Sequence, residues 1–238
     1  FQSDREDARA RVEEGIEVLK RSWSGAPFDF TGRFHSAEAV HVRPRPVQRP
    51  HPPLYVAANS EDSVLSAARL GLPTLASFFV PLAELERRRE LYREAARAAG
   101  RAEAETAALE ARGWGMRVVH VAPSREEALR AIEAPFMSYQ GKMAALRSDR
   151  TGGSVPNSFD RTLLRLRPFQ EYLAAGWTHL GTPDEVREGL QQYLEATGYQ
   201  RVLLLMALPG LDTRLALRSM RMFAEHVAPA LTPVAHIA

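Results

Sequence analysis

The sequence predicts an α/β fold built on parallel strands, and three observations support that prediction. Short, continuous apolar runs recur along the chain, and each leads into a segment with helical spacing of apolar residues. Continuous apolar runs are typical of strands buried on both faces, and a helix after each strand is typical of βα units. The 238 residues, 45% of them hydrophobic, suffice for a domain with a substantial core.

The amino-terminal part predicts one helix and an irregular connection. Ser3 and Glu6 have the spacing of a capping box, and the apolar residues behind them recur every three or four positions, which predicts a helix over residues 4–23. The prolines of the following stretch, "FTGRFHSAEAVHVRPRPVQRPHPP", exclude regular helix. We expect an extended connection there, with at most a short strand pair.

The rest of the chain alternates strands and helices. Apolar runs predict strands over residues 54–58, 73–79, 115–122 and 201–207. Helical spacing and caps predict helices over residues 60–70, 82–99, 124–147, 161–174, 183–196 and 212–229, with a break at "SDRTGGSVPNSFD". Four βα units are too few to close an eight-stranded barrel, which takes about 250 residues. The pattern therefore fits either an open sheet or the latter part of a barrel.

Composition and missing motifs exclude several classes of protein. The formal charge is only +2 and the basic residues are scattered, which argues against nucleic acid as a partner. Without cysteine, neither disulfides nor thiolate metal sites can form. No apolar run approaches the roughly 20 residues of a membrane span, so we expect no membrane association and a cytoplasmic location. The nucleophile elbow, the Walker loop and the G-x-G-x-x-G fingerprint are all missing from the sequence.

Polar residues stand at the junction between the first predicted strand and its helix. In parallel α/β folds, ligands bind beyond the carboxyl ends of the strands, where a helix amino terminus favours phosphate. Asn59, Ser60 and Ser63 would add side-chain donors at that point. The alternative is that Ser60 or Asn59 only caps the helix, and the acidic residues Glu61 and Asp62 favour that interpretation.

Three stretches, in consistent order, resemble the bacterial-luciferase-like, flavin-dependent monooxygenase family. They are "PRPVQRPHPPLYVAANSEDSVLSAARLGLPTLASF", "GTPDEVREGLQQYLEATGYQRVLLLM" and "SMRMFAEHVAPAL". The resemblance implies a (β/α)8 TIM barrel that uses reduced FMN and O2, or, in a related branch, the deazaflavin F420. It also implies that Asn59, Ser60 and Ser63 hold the flavin phosphate at the end of the fifth barrel strand, with Ala58 on the same rim through its backbone.

The resemblance also implies what the chain lacks and what it acts on. The family's first four strands, with the flavin-ring pocket, would lie upstream of Phe1, so we expect a partial barrel of the last four βα units. Residues 1–238 would form a single luciferase-like domain, with an insertion or lid at about residues 134–180. The implied activity is oxygenation of a small organic substrate, with a separate flavin reductase as electron source and a homodimer as a frequent assembly. The alternatives are an F420-dependent reductase or dehydrogenase, and a flavin-free, non-catalytic half-barrel that serves as an interaction module.

Other candidate residues have plain structural alternatives. His120 lies in the strand "RVVHVA", where it would either donate a proton to substrate or flavin or be a satisfied core histidine. We expect the histidines of the Pro-rich connector to be exposed to solvent, because they lack the spacing of a metal site: His35, His41 and His51. Phe78 and Phe79 would form either an apolar substrate rim or ordinary core.

Overall fold

The computed structural model describes residues 5–151 and 165–232, with side chains over residues 7–145 and 165–232. Its contacts group the chain into two compact units, Phe1–Leu54 and Tyr55–Ala238. Within the described residues, no helix is both long enough and apolar enough to cross a lipid bilayer.

The first unit is a helix followed by a β-hairpin, which confirms the predicted helix and the strand pair. Helix α1 spans Arg5–Ser24, and strands β1 (Phe28–Thr31) and β2 (Ser36–Val40) pair antiparallel. The carboxylate of Glu14 on α1 accepts hydrogen bonds from the backbone N–H groups of Arg33 (2.8 Å), Phe34 (2.9 Å) and His35 (2.6 Å) in the hairpin turn. His35 is bonded to Glu14 through Nδ1 (3.0 Å), and its side chain is 39% exposed, so it is only partly open to solvent.

The second unit alternates parallel strands with helices, as the apolar runs predict. Its strands are β3 (Val56–Ala57), β4 (Thr74–Ala76), β5 (Trp114–Val121), β6 (Thr178–Gly181) and β7 (Arg201–Leu205). Its helices are α2 (Glu61–Leu70), α3 (Leu82–Ala98), α4 (Glu103–Arg112), α5 (Arg125–Thr151), α6 (Phe169–Ala174), α7 (Pro183–Thr197) and α8 (Thr213–Met222), and α8 continues into a π-helical turn (Phe223–Val227) and a 3-10 turn (Ala228–Ala230).

Strand β5 is the centre of the five-stranded parallel sheet. Trp114 pairs with β4 and with β7, whereas Val118 pairs with β6 and with β7. Strands β4 and β6 therefore share one edge of β5, and β7 takes the other edge. The last paired residue of β5 toward β4 is Gly115, so the residues Met116 and Arg117 separate the end of β4 from the start of β6.

Both faces of β5 are buried. Val118 belongs to an aromatic-rich core cluster with Phe78, Phe136 and Trp177. Val119 faces the opposite side, where it packs in a cluster with residues of α7 such as Leu190. Because successive strand residues point to opposite faces, this burial explains the continuous apolar run of the sequence.

Several elements differ from the sequence prediction. Helix α4 and strand β6 were not predicted, and the predicted strand 73–79 is regular only over Thr74–Ala76. Helix α5 continues to Thr151, through the start of the predicted break, although Pro135 lies inside it. Residues 152–164, which include the rest of that break and the start of the predicted helix 161–174, lie outside the described residues, and helix α6 begins only at Phe169.

Candidate functional site

The junction between β3 and α2 is a complete capping box. Ser60 has extended backbone angles and is the N-cap of α2. Its Oγ accepts from Ser63 N–H (3.3 Å), while Ser63 Oγ accepts from Ser60 N–H (3.1 Å). The two hydroxyls also lie 3.0 Å apart, and Ser63 Oγ donates to the Ser60 carbonyl (2.7 Å). The helix-capping interpretation of these serines is therefore correct as local geometry, and both side chains remain half-buried at the end of the strand.

Ala58 and Asn59 connect this cap to the neighbouring elements. Ala58 is buried, its N–H donates to Leu75 O (2.9 Å), and its carbonyl accepts from Arg88 Nη1 (3.1 Å). Asn59 Oδ1 accepts from Ser77 N–H (3.3 Å), at the start of the turn that follows β4. In the described part of the chain, Asn59 Nδ2 makes no hydrogen bond, so its two N–H donors remain available to a ligand at the rim.

Arginines of α3 compensate the acidic residues near the junction. Arg87 donates to Glu61 in the first turn of α2 and to Glu84 (2.8 Å), and Arg88 also donates to Glu84 (2.7 Å). Burial raises the pKa of Glu84, but the hydrogen bonds from Arg87 and Arg88 outweigh it and leave that pKa below its usual value. The Glu61 carboxylate, which would repel an anion, is thus paired with a cation.

The donors at this junction fit the phosphate end of a flavin nucleotide. The amino end of α2 supplies first-turn N–H groups and the positive end of the helix dipole. Ser60 and Ser63 can turn their hydroxyl protons toward an anion, and Asn59 adds an amide donor. A nearby cavity of about 30 Å³, lined by Ala58, Arg88 and other side chains, has room for little more than water. The chemistry of the junction therefore suits a phosphate, whereas that cavity does not accept a flavin ring.

The structure does not bring His120 to this junction. Ala57 of β3 pairs with Leu75 of β4, and Leu75 pairs with Trp114 of β5. Asn59, two residues beyond Ala57, is therefore level with Met116, which precedes His120 by four residues. That offset corresponds to ~13 Å along the strands and ~10 Å across two strand spacings.

His120 instead lines a separate cleft of about 260 Å³ with Arg130 of α5 and Arg218 of α8. Its side chain is buried, Nδ1 has no hydrogen-bond partner among the described residues, and burial lowers its pKa, which favours the neutral imidazole.

The remaining sequence candidates have structural roles or fall outside the description. Phe78 and Phe79 are buried in the aromatic cluster beside Trp177, so core packing is what the structure shows for them. His51 Nδ1 bonds to a backbone carbonyl (2.7 Å), and no group of three or more metal-binding side chains occurs in the residues that the structure describes. Most of the loop predicted to cover the active site lies outside the described ranges.

Two buried arginines near the junction escaped the sequence analysis. Arg88 is only 7% exposed and binds the Ala58 carbonyl, but in the sequence it is one of several arginines in an Ala- and Glu-rich helix. Arg117 is 0% exposed on β5, where the apolar run around it concealed its role. The available signal was the presence of a cation inside an otherwise apolar strand, because buried arginine is rare without a partner.

Comparison with known proteins assigns the family. The sequence profile of the luciferase-like monooxygenases matches residues 1–201, and the chain belongs to that family. Among its relatives, 4-hydroxyprotoasukamycin monooxygenase of Streptomyces nodosus subsp. asukaensis is 28% identical over 229 residues, which cover 95% of this chain and 60% of that protein. The family and the parallel sheet confirm the predicted α/β fold of the luciferase-like type, and no closed barrel is seen among the described strands.

Solved structures agree with this assignment. Monooxygenase RslO1 from Streptomyces bottropensis superposes with a TM-score of 0.65 at 26% identity, over 96% of this chain and 63% of that one. The oxygenating constituent of 3,6-diketocamphane monooxygenase from Pseudomonas putida, solved in complex with FMN, gives a TM-score of 0.65 at 20% identity. The match covers 94% of this chain and 64% of that one. The F420-dependent tetrahydromethanopterin reductase of Methanopyrus kandleri has the same fold, with a TM-score of 0.65 at 16% identity. The match covers 94% of this chain and 64% of that one. The chain thus spans about 60% of the length of these relatives.

Proposed function

We propose that this chain is the phosphate-binding portion of an FMN-dependent monooxygenase that oxygenates a small organic substrate with O2. The observation that carries the proposal is the β3–α2 junction in a chain of the luciferase-like family. There Ser60 and Ser63 cap α2, the Asn59 amide offers two donors, and Arg87 pairs with the Glu61 carboxylate. We further propose a single domain with an insertion at about residues 134–180, a cytoplasmic location, a separate flavin reductase and a homodimeric assembly.

In this proposal the protein's own residues bind and orient the cofactor. Reduced FMN, when bound, would supply the electrons for oxygen activation. Asn59 Nδ2, the hydroxyls of Ser60 and Ser63 and the amino end of α2 would hold the phosphate through charge-assisted hydrogen bonds. Ser60 Oγ accepts from an N–H group of the cap and keeps its own proton for an anion, whereas Ser63 Oγ donates to the Ser60 carbonyl and would have to turn its proton away from that carbonyl to bind one. Ala58 would shape the rim while its backbone stays bonded to β4 and Arg88.

The test separates phosphate binding from helix capping. Ser60→Ala with Ser63→Ala should weaken FMN binding by roughly 1 to 3 kcal/mol, or about 5- to 150-fold in Kd. Thr182→Ala is the matched control, because Thr182 forms an equivalent capping box with Glu185 at the start of α7. Both variants should lose about 1 kcal/mol of stability. An FMN dissociation constant that is unchanged in the double variant would refute the assignment.

The F420-dependent enzymes are the second candidate class, because their fold matches this chain equally well. F420 also carries phosphate, so the junction alone does not distinguish the two cofactors. Parallel titrations of the protein with reduced FMN and with F420 would do so, and the proposal requires tighter binding of FMN. A protein that binds neither cofactor would favour the non-catalytic interaction module.

A further inference from the structure

Arg117 is a fully buried cation without an acidic partner. Its side chain is 0% exposed, and among the described residues the groups that interact electrostatically with it are Tyr193 and Tyr199, not a carboxylate. Its guanidinium stacks over the Tyr193 ring of α7 at 4.2 Å from the ring centroid, and Nε has no hydrogen-bond partner there. Burial lowers its pKa, yet a guanidinium remains protonated in proteins.

The guanidinium fills the gap that the sheet leaves between β4 and β6. Strand β4 stops pairing with β5 at Gly115, and β6 begins at Val118. In between, Arg117 donates to the carbonyls of Met116 (2.8 Å), Val80 (3.2 Å) and Ser77 (3.4 Å). Two of these acceptors lie in the turn from Ser77 to Val80 that leads from β4 to α3. Arg117 thus replaces the missing ladder with side-chain donors.

This arrangement is costly if its only purpose is stability. A buried charge loses its hydration, and carbonyl dipoles with one aromatic face compensate that loss less well than a carboxylate does. Even a complete buried ion pair can often be replaced by apolar residues of similar volume without loss of stability, so a buried charge is weak evidence for a stabilising role. A cation kept at this position therefore suggests a requirement beyond the packing of the sheet.

The turn held by Arg117 also fixes the Asn59 side chain. Ser77 N–H donates to Asn59 Oδ1 at 3.3 Å. Since a backbone N–H can only donate, it selects the amide orientation in which oxygen faces Ser77 and the Nδ2 protons face away. If the turn moved, Asn59 would lose this contact and its amide would be free to rotate. Arg117 lies near the same level of the sheet as Asn59, because Asn59 is level with Met116.

We propose that Arg117 is a positioning residue for anion binding at the β3–α2 junction, acting through the Ser77–Val80 turn and the Asn59 amide. The inference rests on the proposed function for its ligand, but not for the coupling between Arg117 and Asn59. It therefore makes one prediction that needs no ligand and a second that needs FMN.

The experiment compares Arg117→Met with Arg97→Met, a substitution of an exposed arginine on α3. Nitrogen-15 NMR of the ligand-free protein should show shifted Asn59 side-chain amide signals in Arg117→Met, and Ser77 amide exchange at least about ten-fold faster. The Kd for FMN, measured well below the melting temperature of each variant, should rise about ten-fold. Arg117→Lys, which keeps the charge with fewer donors, should lie between the wild type and Arg117→Met and serves as the readout if the methionine variant does not fold. None of these changes is expected in Arg97→Met.

A purely structural role gives the opposite pattern. Whatever the melting temperature, the Asn59 and Ser77 signals and the FMN affinity of the folded Arg117→Met protein would then match the wild type, and the inference would be overturned. If the wild-type protein does not bind FMN, the proposed function fails. In that case the ligand-free amide signals still decide whether Arg117 positions Asn59.

Discussion

The buried carboxylate of Glu110 should be one of the larger single contributions to the stability of the second unit. Glu110 lies on α4 with its side chain only 4% exposed. It accepts two hydrogen bonds from Arg93 (2.7 and 2.8 Å) and one from Arg89 (3.3 Å), both on α3. Arg89 also donates to carbonyls at the end of α7, at 2.7 Å for Glu195. Glu110 therefore links three helices through charge-assisted bonds, and Glu110→Ala removes the carboxylate that both arginines share.

The magnitude follows from how far each arginine can recover water. Removing one partner of a fully buried ion pair costs about 3–5 kcal/mol. Arg93 is 44% exposed and can be rehydrated, and Arg89 keeps its carbonyl bonds, so the full penalty does not apply. We expect Glu110→Ala to lose about 2 kcal/mol, which corresponds to ~4–8 °C in melting temperature for a unit of this size.

Urea denaturation of Glu110→Ala, Arg93→Met and the double variant would measure the coupling between the pair, for which we expect about 1 kcal/mol. The matched control is Glu126→Ala, because Glu126 pairs with Arg130 at 83% and 70% exposure and should contribute at most ~0.5 kcal/mol. A Glu110→Ala variant no less stable than Glu126→Ala would show that the buried network does not stabilise the helix packing, and the reasoning would be wrong.

Three further predictions concern other buried groups. Burial, with a contribution from Arg117, lowers the pKa of His179 to about 3. The free energy of unfolding should therefore fall as the pH drops from about 6.5 toward 3. In urea titrations over that range, the free energy of unfolding of His179→Phe should fall less than that of the wild type. Gly115→Ala should lose about 1–3 kcal/mol because its new methyl group would overlap the Tyr193 hydroxyl, whereas Gly141→Ala in α5 has open space and should be neutral or stabilising. Desolvation raises the pKa of Glu14, but the hydrogen bonds from the hairpin turn outweigh it and leave that pKa below its usual value. Glu14 should therefore hold the turn at neutral pH and release it only as the pH falls through the lowered pKa. The release should appear as a pH-dependent shift of the Phe34 amide signal that is absent in Glu14→Gln.

The sequence predicted those parts of the fold whose signals are local. Helix α7 was predicted to within one residue of its observed end, and the structure shows that a capping box at Thr182 and a glycine C-cap bound it. The apolar run of β5 was found almost completely. Strand β6 was missed because its four residues show no regular alternation of apolar and polar side chains. They form a strand only through pairing with β5. Helix α4 was missed because its Ala- and Glu-rich residues follow a similar helix without a distinct cap, and the structure shows no side-chain cap at Ala102.

The candidate site was predictable only in part, for a chemical reason. Ser60 and Ser63 use the same hydroxyl groups to cap a helix and to bind an anion, so no local pattern separates the two roles. The Arg87–Glu61 pair depends on residues 26 positions apart, which the sequence does not reveal. The resemblance to the luciferase-like family selected the phosphate hypothesis, and the residues around Asn59 are compatible with it, but the pairings that make them compatible were visible only in the structure.

The register of β5 connects these observations. Because β4 leaves β5 at Gly115 and β6 joins only at Val118, the sheet has a gap at the level of the β3–α2 junction. A glycine at 115 lets Tyr193 approach the strand, and the Tyr193 ring in turn supports the Arg117 guanidinium in that gap. The turn from Ser77 to Val80 is thereby held where it can bond to Asn59. A one-residue shift of β4 against β3 would move Ser77 by about 3.3 Å relative to Asn59, which is enough to break its bond to the amide. The proposed anion site therefore depends on a defect in the sheet as much as on the serines at its rim.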